Sequence, residues 1–215
     1  MKFYPVHLNV SGMRCVVVGG GEVAERKVVR LLECDADVVL VGKTITRNLE
    51  AIKREGRIAH IPDDYRSDYI EDAFLVIGAT DRDEINEKIY LDSKERNILV
   101  NIVDDPERCQ FIVPSQLRRG DLLISISTGG KSPALARRLR ENLEVEYGSE
   151  YQILLDIMGG LRGKIIARGA SSKVNKNIFE SILDTDILRY IREGDWNRVR
   201  ETVRDLTGED IGSIK

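Results

Sequence analysis

The chain has 215 residues, of which 42% are hydrophobic and 32% are charged, and its formal net charge is −3. This length and composition allow one sizeable domain, or one domain with a smaller module, around an apolar core. The small net charge excludes a general electrostatic attraction to nucleic acid or to an anionic membrane. No apolar run approaches the roughly twenty residues that span a bilayer, and the N-terminus lacks the apolar region of a signal peptide. We therefore expect a cytoplasmic protein.

The three cysteines, Cys15, Cys34 and Cys109, lie far apart in the sequence. They form no Cys-x-x-Cys pair, and only His7 and His60 could join them as imidazole ligands. A preformed zinc site needs a tighter set of ligands. The sequence therefore predicts no metal site, and it predicts buried thiols in a reducing compartment.

Short β-branched runs alternate with helical patterns through the first half of the chain. Residues 15–18 form an apolar run that ends in glycine, which is typical of a buried parallel strand. Further strands are predicted at residues 3–10, 38–41, 57–61, 74–80, 99–103 and 111–113, and helices directly after the glycines and at residues 46–55 and 83–95. These repeated β-α pairs predict an α/β fold with a Rossmann-type, doubly wound parallel sheet.

The turn after the first central strand matches the dinucleotide-binding fingerprint. Its spacing is Gly19-x-Gly21-x-x-Ala24, with alanine in the third place. Gly19 allows the tight turn, Gly21 lets a pyrophosphate approach the backbone, and Ala24 lets helix and strand pack closely. The phosphates would then bind free N–H groups at the positive end of the helix. The predicted cofactor-binding residues here are Gly19, Gly20, Gly21, Glu22, Val23 and Ala24.

The acidic residue that usually binds the ribose hydroxyls at the end of the second strand is missing, because that place reads Gly42-Lys43-Thr44. Lys43 could bind a 2′-phosphate and favour NADP. Alternatively, the backbone and the Thr44 hydroxyl could hold the ribose, or Lys43 could be a solvated loop residue. The residues at this position leave the choice of cofactor open.

Two other predicted strands end in residues that suit a ligand site. Ala79, Thr80 and Asp81 follow the strand at 74–80, and Asp104 follows the strand at 99–103. The carboxyl ends of strands are where open α/β sheets bind ligands, so we predict that Thr80 and Asp81 contact the cofactor. A dehydrogenase also needs a group that takes a proton, for which Asp81 and Asp104 are candidates. The alternative is that both are ordinary turn residues.

The sequence becomes basic after Pro114, with six Lys or Arg against one acid over residues 114–140. Residues 122–127 alternate as a strand with one polar face, and Ser132 with Pro133 predicts the start of a helix. Glycines, a helix N-terminus and Lys131 together favour an anion site. The alternative is a solvated basic face. Leu135, Leu139 and Leu143 form an apolar stripe on the predicted helix.

The remainder of the chain, residues 149–215, predicts a small helical subdomain. Gly159, Gly160 and Gly163 should interrupt its first helix. Later helices should begin at Ser171-Ser172 and at Asp195-Trp196.

Four blocks in a fixed order carry a resemblance to a known family. They are VVVGGGEVAERKV at 16–28, GATDRDEIN at 78–86, NILVNIVDDPERCQFIVPS at 97–115 and ISISTGGKSPALARRLRENLE at 124–144. Together they resemble the precorrin-2 dehydrogenase and sirohydrochlorin ferrochelatase family, the amino-terminal module of siroheme synthase. The resemblance covers roughly residues 1–145.

This resemblance implies that NAD⁺ oxidises precorrin-2, a reduced tetrapyrrole, to sirohydrochlorin during siroheme biosynthesis. In two-function members the same site then inserts Fe²⁺. The Asp of the family's Asn-x-x-Asp block falls on Asp104, which would accept a proton. The family commonly lacks the ribose acid, so its absence here argues less for NADP, and NAD is the expected cofactor.

The resemblance also implies an intertwined homodimer. The expected organisation is an NAD-binding Rossmann domain at 1–113, a dimerisation and tetrapyrrole-site segment at 114–148 and the helical subdomain at 149–215. The substrate carries eight carboxylates, which suits the basic segment. The expected substrate-binding residues are Arg118, Arg119, Thr128, Gly129, Gly130, Lys131, Ser132, Arg137 and Arg138.

Other hypotheses remain at this stage. The chain has no room for the methyltransferase that some relatives carry, so another polypeptide is expected to make precorrin-2. A non-catalytic NAD(H)-sensing domain could use the same fold, but it would need neither Asp104 nor a basic loop. An ordinary small-substrate dehydrogenase fits less well, since no separate substrate domain or catalytic histidine is evident.

Overall fold

Five parallel strands form the sheet of the first half of the chain. They are β1 (Arg14–Val18), β2 (Asp37–Val41), β3 (Ala59–Ile61), β4 (Leu75–Gly78) and β5 (Leu99–Ile102), in the spatial order β3-β2-β1-β4-β5. The computed structural model describes residues 3–212. It divides into two compact units, residues 1–113 and 114–215. The strand order reverses between β1 and β4, which is the point where such sheets bind ligands.

Both faces of this sheet are covered. Helices α1 (Glu22–Leu32), α2 (Arg47–Arg54) and α3 (Asp83–Glu95) connect successive strands, with short 3-10 helices at Ser67–Ile70 and Pro106–Arg108. Alternate residues of β1 belong to two different buried clusters, Cys15 and Val17 to one and Val16 and Val18 to the other. A strand buried on both faces explains its continuous apolar sequence. The predicted Rossmann-type fold is confirmed.

Two predicted strands of the first unit are wrong. Residues 3–10 form no strand, and Val6 and Leu8 of this segment are exposed. Residues 111–113 form a loop, although Gln110 still donates a backbone hydrogen bond of 2.9 Å to Val100 of β5. Apolar alternation predicted both strands, but neither segment is paired with a sheet edge. Strand pairing depends on tertiary contacts, which the local sequence pattern does not specify.

Over its described residues, 114–212, the second unit consists of a hairpin and five helices. The antiparallel strands β6 (Ser115–Arg119) and β7 (Leu122–Ile126) precede α4 (Pro133–Glu146), α5 (Glu150–Ala167), α6 (Ser172–Leu183), α7 (Ile187–Glu193) and α8 (Trp196–Thr207). The sequence analysis missed β6. The predicted interruption of α5 is also wrong, because the helix is continuous through Gly159, Gly160 and Gly163. Within residues 3–212 none of the helices is long and apolar enough to cross a membrane.

The cysteines differ in their surroundings. Cys15 of β1 is buried, and this burial raises the pKa of its thiol to about 11. Cys109 is half-buried, whereas Cys34 is exposed. The prediction of buried thiols is therefore wrong for Cys34, which lies in the exposed turn after α1.

The helical core of the second unit should depend on Leu161, which is 1% exposed within the cluster that joins α5 to α8. Replacing Leu161 by alanine should lower the free energy of unfolding by about 2–5 kcal/mol, because it leaves a cavity. Ile166→Ala on the same helix removes a side chain that is 52% exposed, and should cost about 0.5 kcal/mol. Denaturant titration checks both variants, and equal losses would contradict this packing.

Candidate dinucleotide site

The glycine turn closes tightly against the ends of two neighbouring strands. Gly19 has a φ of 122° and donates a hydrogen bond of 2.8 Å to Val41 at the end of β2. A Cβ at Gly19 would overlap the backbone of Ala79, and one at Gly20 would overlap the carbonyl of Thr44. No larger residue fits either position. The turn after β1 is therefore fixed between the turns after β2 and β4.

Gly21 is a glycine for a different reason. It is the N-cap of α1, its φ of −81° is open to any residue, and no side chain caps the helix there. A Cβ at Gly21 would meet no atom within 4 Å. Packing within the protein does not require glycine at this position, but close approach of a ligand does. The open space and the helix N-terminus fit the pyrophosphate of a dinucleotide.

A cleft of about 590 Å³ opens beside this turn. It is lined by residues 18–21, 41–46, 63–65 and 79–82, together with Ile85. The carboxyl ends of β1, β2, β3 and β4 all meet there. The structure thus brings together the predicted cofactor residues Gly19, Gly20, Gly21, Lys43, Thr44, Thr80 and Asp81, while Glu22, Val23 and Ala24 form the first turn of α1.

Hydrogen bonds within the cleft hold several of its side chains. Thr80 donates from its hydroxyl to Asn86 Oδ1 at 2.8 Å, and Asn86 Nδ2 donates to the Thr80 carbonyl at 3.0 Å. Thr46 caps α2 and donates its hydroxyl to Glu25, whose pKa is lowered by this bond and by one from Asn48. The loop after β4 and the loop after β2 are therefore each held by their own hydrogen bonds.

Asp104 occupies a conformation that L-residues seldom adopt. It follows Val103, the first residue after β5, and its φ is 62°. Val103 N donates a hydrogen bond of 2.9 Å to the carbonyl of Gly78, which ties this turn to β4. Asp104 does not line the 590 Å³ cleft, but it lies at the same edge of the sheet. A strained aspartate at a ligand-binding edge favours a functional role.

Lys27 of α1 lies within the electrostatic reach of Asp104. Burial lowers the pKa of Lys27 and Arg26 lowers it further, whereas the carboxylate of Asp104 and the thiol of Cys109 act in the opposite direction. The half-buried ammonium group is therefore a charged neighbour of the candidate base.

The predicted anion loop of the second unit is organised by its own hydroxyl groups. Gly129 and Gly130 have φ values of 62° and 82°. Thr128 Oγ1 accepts a hydrogen bond of 3.1 Å from Ser132 N, and Ser132 Oγ caps α4 by accepting one of 3.2 Å from Leu135 N. Glycine is required at both positions, since both lie in the left-handed region.

The basic side chains of this unit fall into two groups. The Arg119 guanidinium donates to the backbone carbonyls of Tyr147 at 3.0 Å and Glu144 at 3.3 Å, so it holds the end of α4. Arg118 donates to the Gly120 carbonyl at 3.1 Å, and Arg137 pairs with Glu141 at 2.8 Å. Within residues 3–212, Lys131 and Arg138 form no ion pair.

The residues that could bind a metal are engaged elsewhere. His60 Nε2 lies 2.8 Å from the Gly42 carbonyl, and Cys109 Sγ donates to the carbonyls of Ile102 and Asp105 at 3.2 and 3.0 Å. Over the part of the chain that the structure describes, no three His, Cys, Asp or Glu side chains cluster so as to hold a metal ion.

Three residues at this edge of the sheet are not among the predicted site residues. Asp63 and Asp64 follow β3 and line the cleft. They lie shortly after a strand, as Asp81 and Asp104 do, and this position was the available signal. Lys27 lies in the inward-facing stripe of α1, and a lysine among apolar positions was the available signal.

Two family models match adjacent parts of the chain. Residues 6–115 match a family described as "Putative NAD(P)-binding". The chain belongs to this NAD(P)-binding family. Residues 119–146 match a second model, described as "Sirohaem biosynthesis protein central". The two matches confirm the family resemblance that the four sequence blocks predicted, and they support a nicotinamide cofactor without distinguishing NAD from NADP.

Several similar proteins are siroheme synthases. Siroheme synthase 1 of Aeromonas salmonicida is 34% identical over 214 residues, which are 99% of this chain and 46% of that protein. Siroheme synthase of Thioalkalivibrio sulfidiphilus is 36% identical over 203 residues, 94% of this chain and 42% of that protein. The NAD(P)-binding chain thus spans less than half the length of these curated relatives.

A solved structure, "SirC, precorrin-2 dehydrogenase", has a similar fold. The TM-score is 0.81 with 23% sequence identity, and the match covers 96% of this chain and 100% of that one. At this identity the likeness concerns the fold, and it extends over both units of the NAD(P)-binding chain.

The two kinds of glycine in the turn should respond differently to alanine. Gly20→Ala should lower the melting temperature by several degrees, because its Cβ would overlap the Thr44 carbonyl. Gly21→Ala should leave the melting temperature within about 2 °C, but weaken NADH binding, because its Cβ would occupy the open space for the pyrophosphate. Thermal melts and NADH fluorescence titrations check both results. Unchanged NADH affinity in Gly21→Ala would contradict this position for the phosphates.

Proposed function

We propose that this protein is an NAD-dependent dehydrogenase that converts precorrin-2 to sirohydrochlorin in siroheme biosynthesis. The glycine turn, the cleft at the strand ends and membership of an NAD(P)-binding family support the cofactor. Similarity to siroheme synthases and the match of residues 119–146 to a sirohaem-biosynthesis model support the substrate.

The observation that carries this proposal is the position of Asp104, after β5 at the edge of the sheet where the cleft opens. Its φ of 62° is sparsely populated outside glycine and costs about 1 kcal/mol or more. Asp105, the next residue, already caps the following 3-10 helix by accepting hydrogen bonds from Glu107 N and Arg108 N at 3.1 and 3.2 Å. Asp104 lies in the turn that Asp105 N closes on the Ile102 carbonyl at 3.3 Å, so its positive φ fits its place in that turn. Its role as proton acceptor is proposed from its place at the sheet edge and from the family resemblance.

The reaction removes two hydrogens from precorrin-2, one as hydride and one as a proton. The nicotinamide ring, when bound, supplies the hydride acceptor, so that NAD⁺ becomes NADH. Asp104 accepts the proton at its carboxylate and later releases it to solvent. Lys27 lies close enough for the Asp104 carboxylate to act on its pKa, and its positive charge balances the carboxylate before the proton is taken.

The substrate carboxylates are proposed to bind in the second unit. The side chains of Lys131 and Arg138 are exposed, and they offer positive charge to carboxylates. Arg118 and Arg137 would first have to leave the Gly120 carbonyl and Glu141. We assign Arg119 a structural role, because its guanidinium holds the end of α4.

The protein is proposed to be a homodimer. The apolar stripe of α4 supports this, since Leu135 is 51% exposed and Leu139 is 40% exposed. Leucines at this spacing on one helix face are usually covered.

Introducing a charge into this stripe should therefore separate the subunits. Leu139→Glu should sediment as a monomer at micromolar concentration, whereas the wild type should sediment as a dimer. Val145→Glu, on the same helix but outside the stripe and 88% exposed, is the control and should remain dimeric. A wild-type monomer would argue against the dimer.

Removing the carboxylate of Asp104 should stop proton transfer without disturbing the turn. Asparagine tolerates the same positive φ, so Asp104→Asn should fold normally and bind NADH with wild-type affinity. Its rate of NADH formation from anaerobic precorrin-2 and NAD⁺ should fall by about 10²–10⁴-fold. NADH absorbance and the product spectrum are the measurements.

Asp35→Asn is the matched control, because Asp35 also has a positive φ, of 56°, in a loop remote from this turn in sequence. It should react at the wild-type rate. Full activity of Asp104→Asn would remove the role given to Asp104. Dinucleotide binding without turnover by the wild type would instead favour an NAD(H)-sensing domain. Formation of siroheme from sirohydrochlorin and Fe²⁺ above the spontaneous rate would add ferrochelatase activity.

A further inference from the structure

The cleft contains acidic residues, although the end of β2, the usual place of the ribose acid, has none. Val41 of β2 pairs in register with Ile61 of β3, so the two strands end side by side. Gly42 N donates 3.0 Å to the Ile61 carbonyl and His60 Nε2 contacts the Gly42 carbonyl at 2.8 Å, which fixes the loop after β2 against β3. Residues that follow β3 therefore lie beside the usual place of the ribose acid.

Asp64 in this loop is engaged with two cations of the cleft. Its Oδ2 lies 2.5 Å from Lys43 Nζ, and its Oδ1 lies 3.7 Å from the Arg82 guanidinium. Lys43 comes from the end of β2, while Arg82 precedes α3. Three loops of the cleft thus meet at one carboxylate, and Lys43, Asp64 and Arg82 all line the cleft.

The neighbouring Asp63 holds Asp64 in place. Asp63 Oδ2 accepts a hydrogen bond of 2.6 Å from the Tyr69 hydroxyl, and Asp63 Oδ1 accepts one of 2.8 Å from Asp64 N. The bond from Tyr69 is the main reason why the pKa of Asp63 is lowered. Both carboxylate oxygens of Asp63 are therefore used within the loop, and Asp64 is the acid directed to the cations.

We propose that Asp64 determines the preference of this site for NAD(H) over NADP(H), an inference that rests on the dinucleotide site of the proposed function. Asp64 occupies Lys43, the residue that would otherwise attract a 2′-phosphate, and its negative charge repels that group. The same carboxylate can accept a hydrogen bond from a ribose hydroxyl, as the acid at the end of β2 does in related folds.

The pairs are exposed, with side-chain exposures of 61% for Lys43, 55% for Asp64 and 53% for Arg82. Exposed ion pairs contribute little to folding. Their effect should therefore appear in the choice of ligand, where one charged group competes directly with another, and hardly at all in stability.

The test is the ratio of dissociation constants for NADPH and NADH, measured by fluorescence titration without any tetrapyrrole. The wild type should bind NADH more tightly. Asp64→Asn should weaken NADH binding, strengthen NADPH binding and lower the ratio by about ten- to hundredfold, the range for a hydrogen bond to a charged group. The double variant Asp64→Asn with Lys43→Met should lose the gain for NADPH, because that gain requires the released lysine.

Asp68→Asn is the matched control. Asp68 pairs with Arg66 at 3.3 Å, is 59% exposed and does not line the cleft, so its removal changes the net charge equally and should leave the ratio unchanged. A wild-type preference for NADPH, an unchanged ratio in Asp64→Asn or an equal change in Asp68→Asn would each overturn the inference. NADH preference that depends on Asp64 in a protein unable to oxidise precorrin-2 would uphold it while refuting the proposed reaction.

Discussion

The steric closure of the glycine turn is the constraint on which the site depends. Gly19 and Gly20 lie so close to the backbone of Ala79 and Thr44 that no Cβ fits. This contact joins the ends of β1, β2 and β4 at the point where the strand order reverses. The cleft, the open N-terminus of α1 and the position of Gly21 all follow from it. In the proposed function, backbone atoms of this turn bind the dinucleotide, and side chains select the ligand and the chemistry.

Two aspartates at this sheet edge have the proposed functional roles. Asp104 has a φ of 62° in the turn that follows β5. Asp64 lies between Lys43 and Arg82, although exposed pairs of this kind add little stability. One group is suited to taking a proton and the other to choosing between dinucleotides. Both belong to the first unit, which therefore contains the proposed proton acceptor and the proposed determinant of cofactor preference.

The fold and the tight glycine turn could be predicted from the sequence, because both depend on local patterns. The apolar runs of β1, β2, β4 and β5 and the glycine spacing are local features.

The errors came where tertiary contacts determine the structure. Residues 3–10 and 111–113 alternate like strands but find no partner strand. Asp64 could not be identified from the sequence, because its significance comes from Lys43, twenty-one positions earlier. The structural role that we propose for Arg119 likewise comes from contacts with the end of α4 that the sequence does not show. The choice of proton acceptor came from family resemblance, since an aspartate after a strand is usually a turn residue.

The central claim is that one edge of the sheet holds the dinucleotide and also presents Asp104 to the tetrapyrrole. A crystal structure of the protein with NAD⁺ and sirohydrochlorin tests it most directly. We expect the pyrophosphate against Gly21 at the N-terminus of α1, and the Asp104 carboxylate within hydrogen-bond distance of the tetrapyrrole. A pyrophosphate bound elsewhere, or an Asp104 side chain that faces away from the tetrapyrrole, would contradict the account.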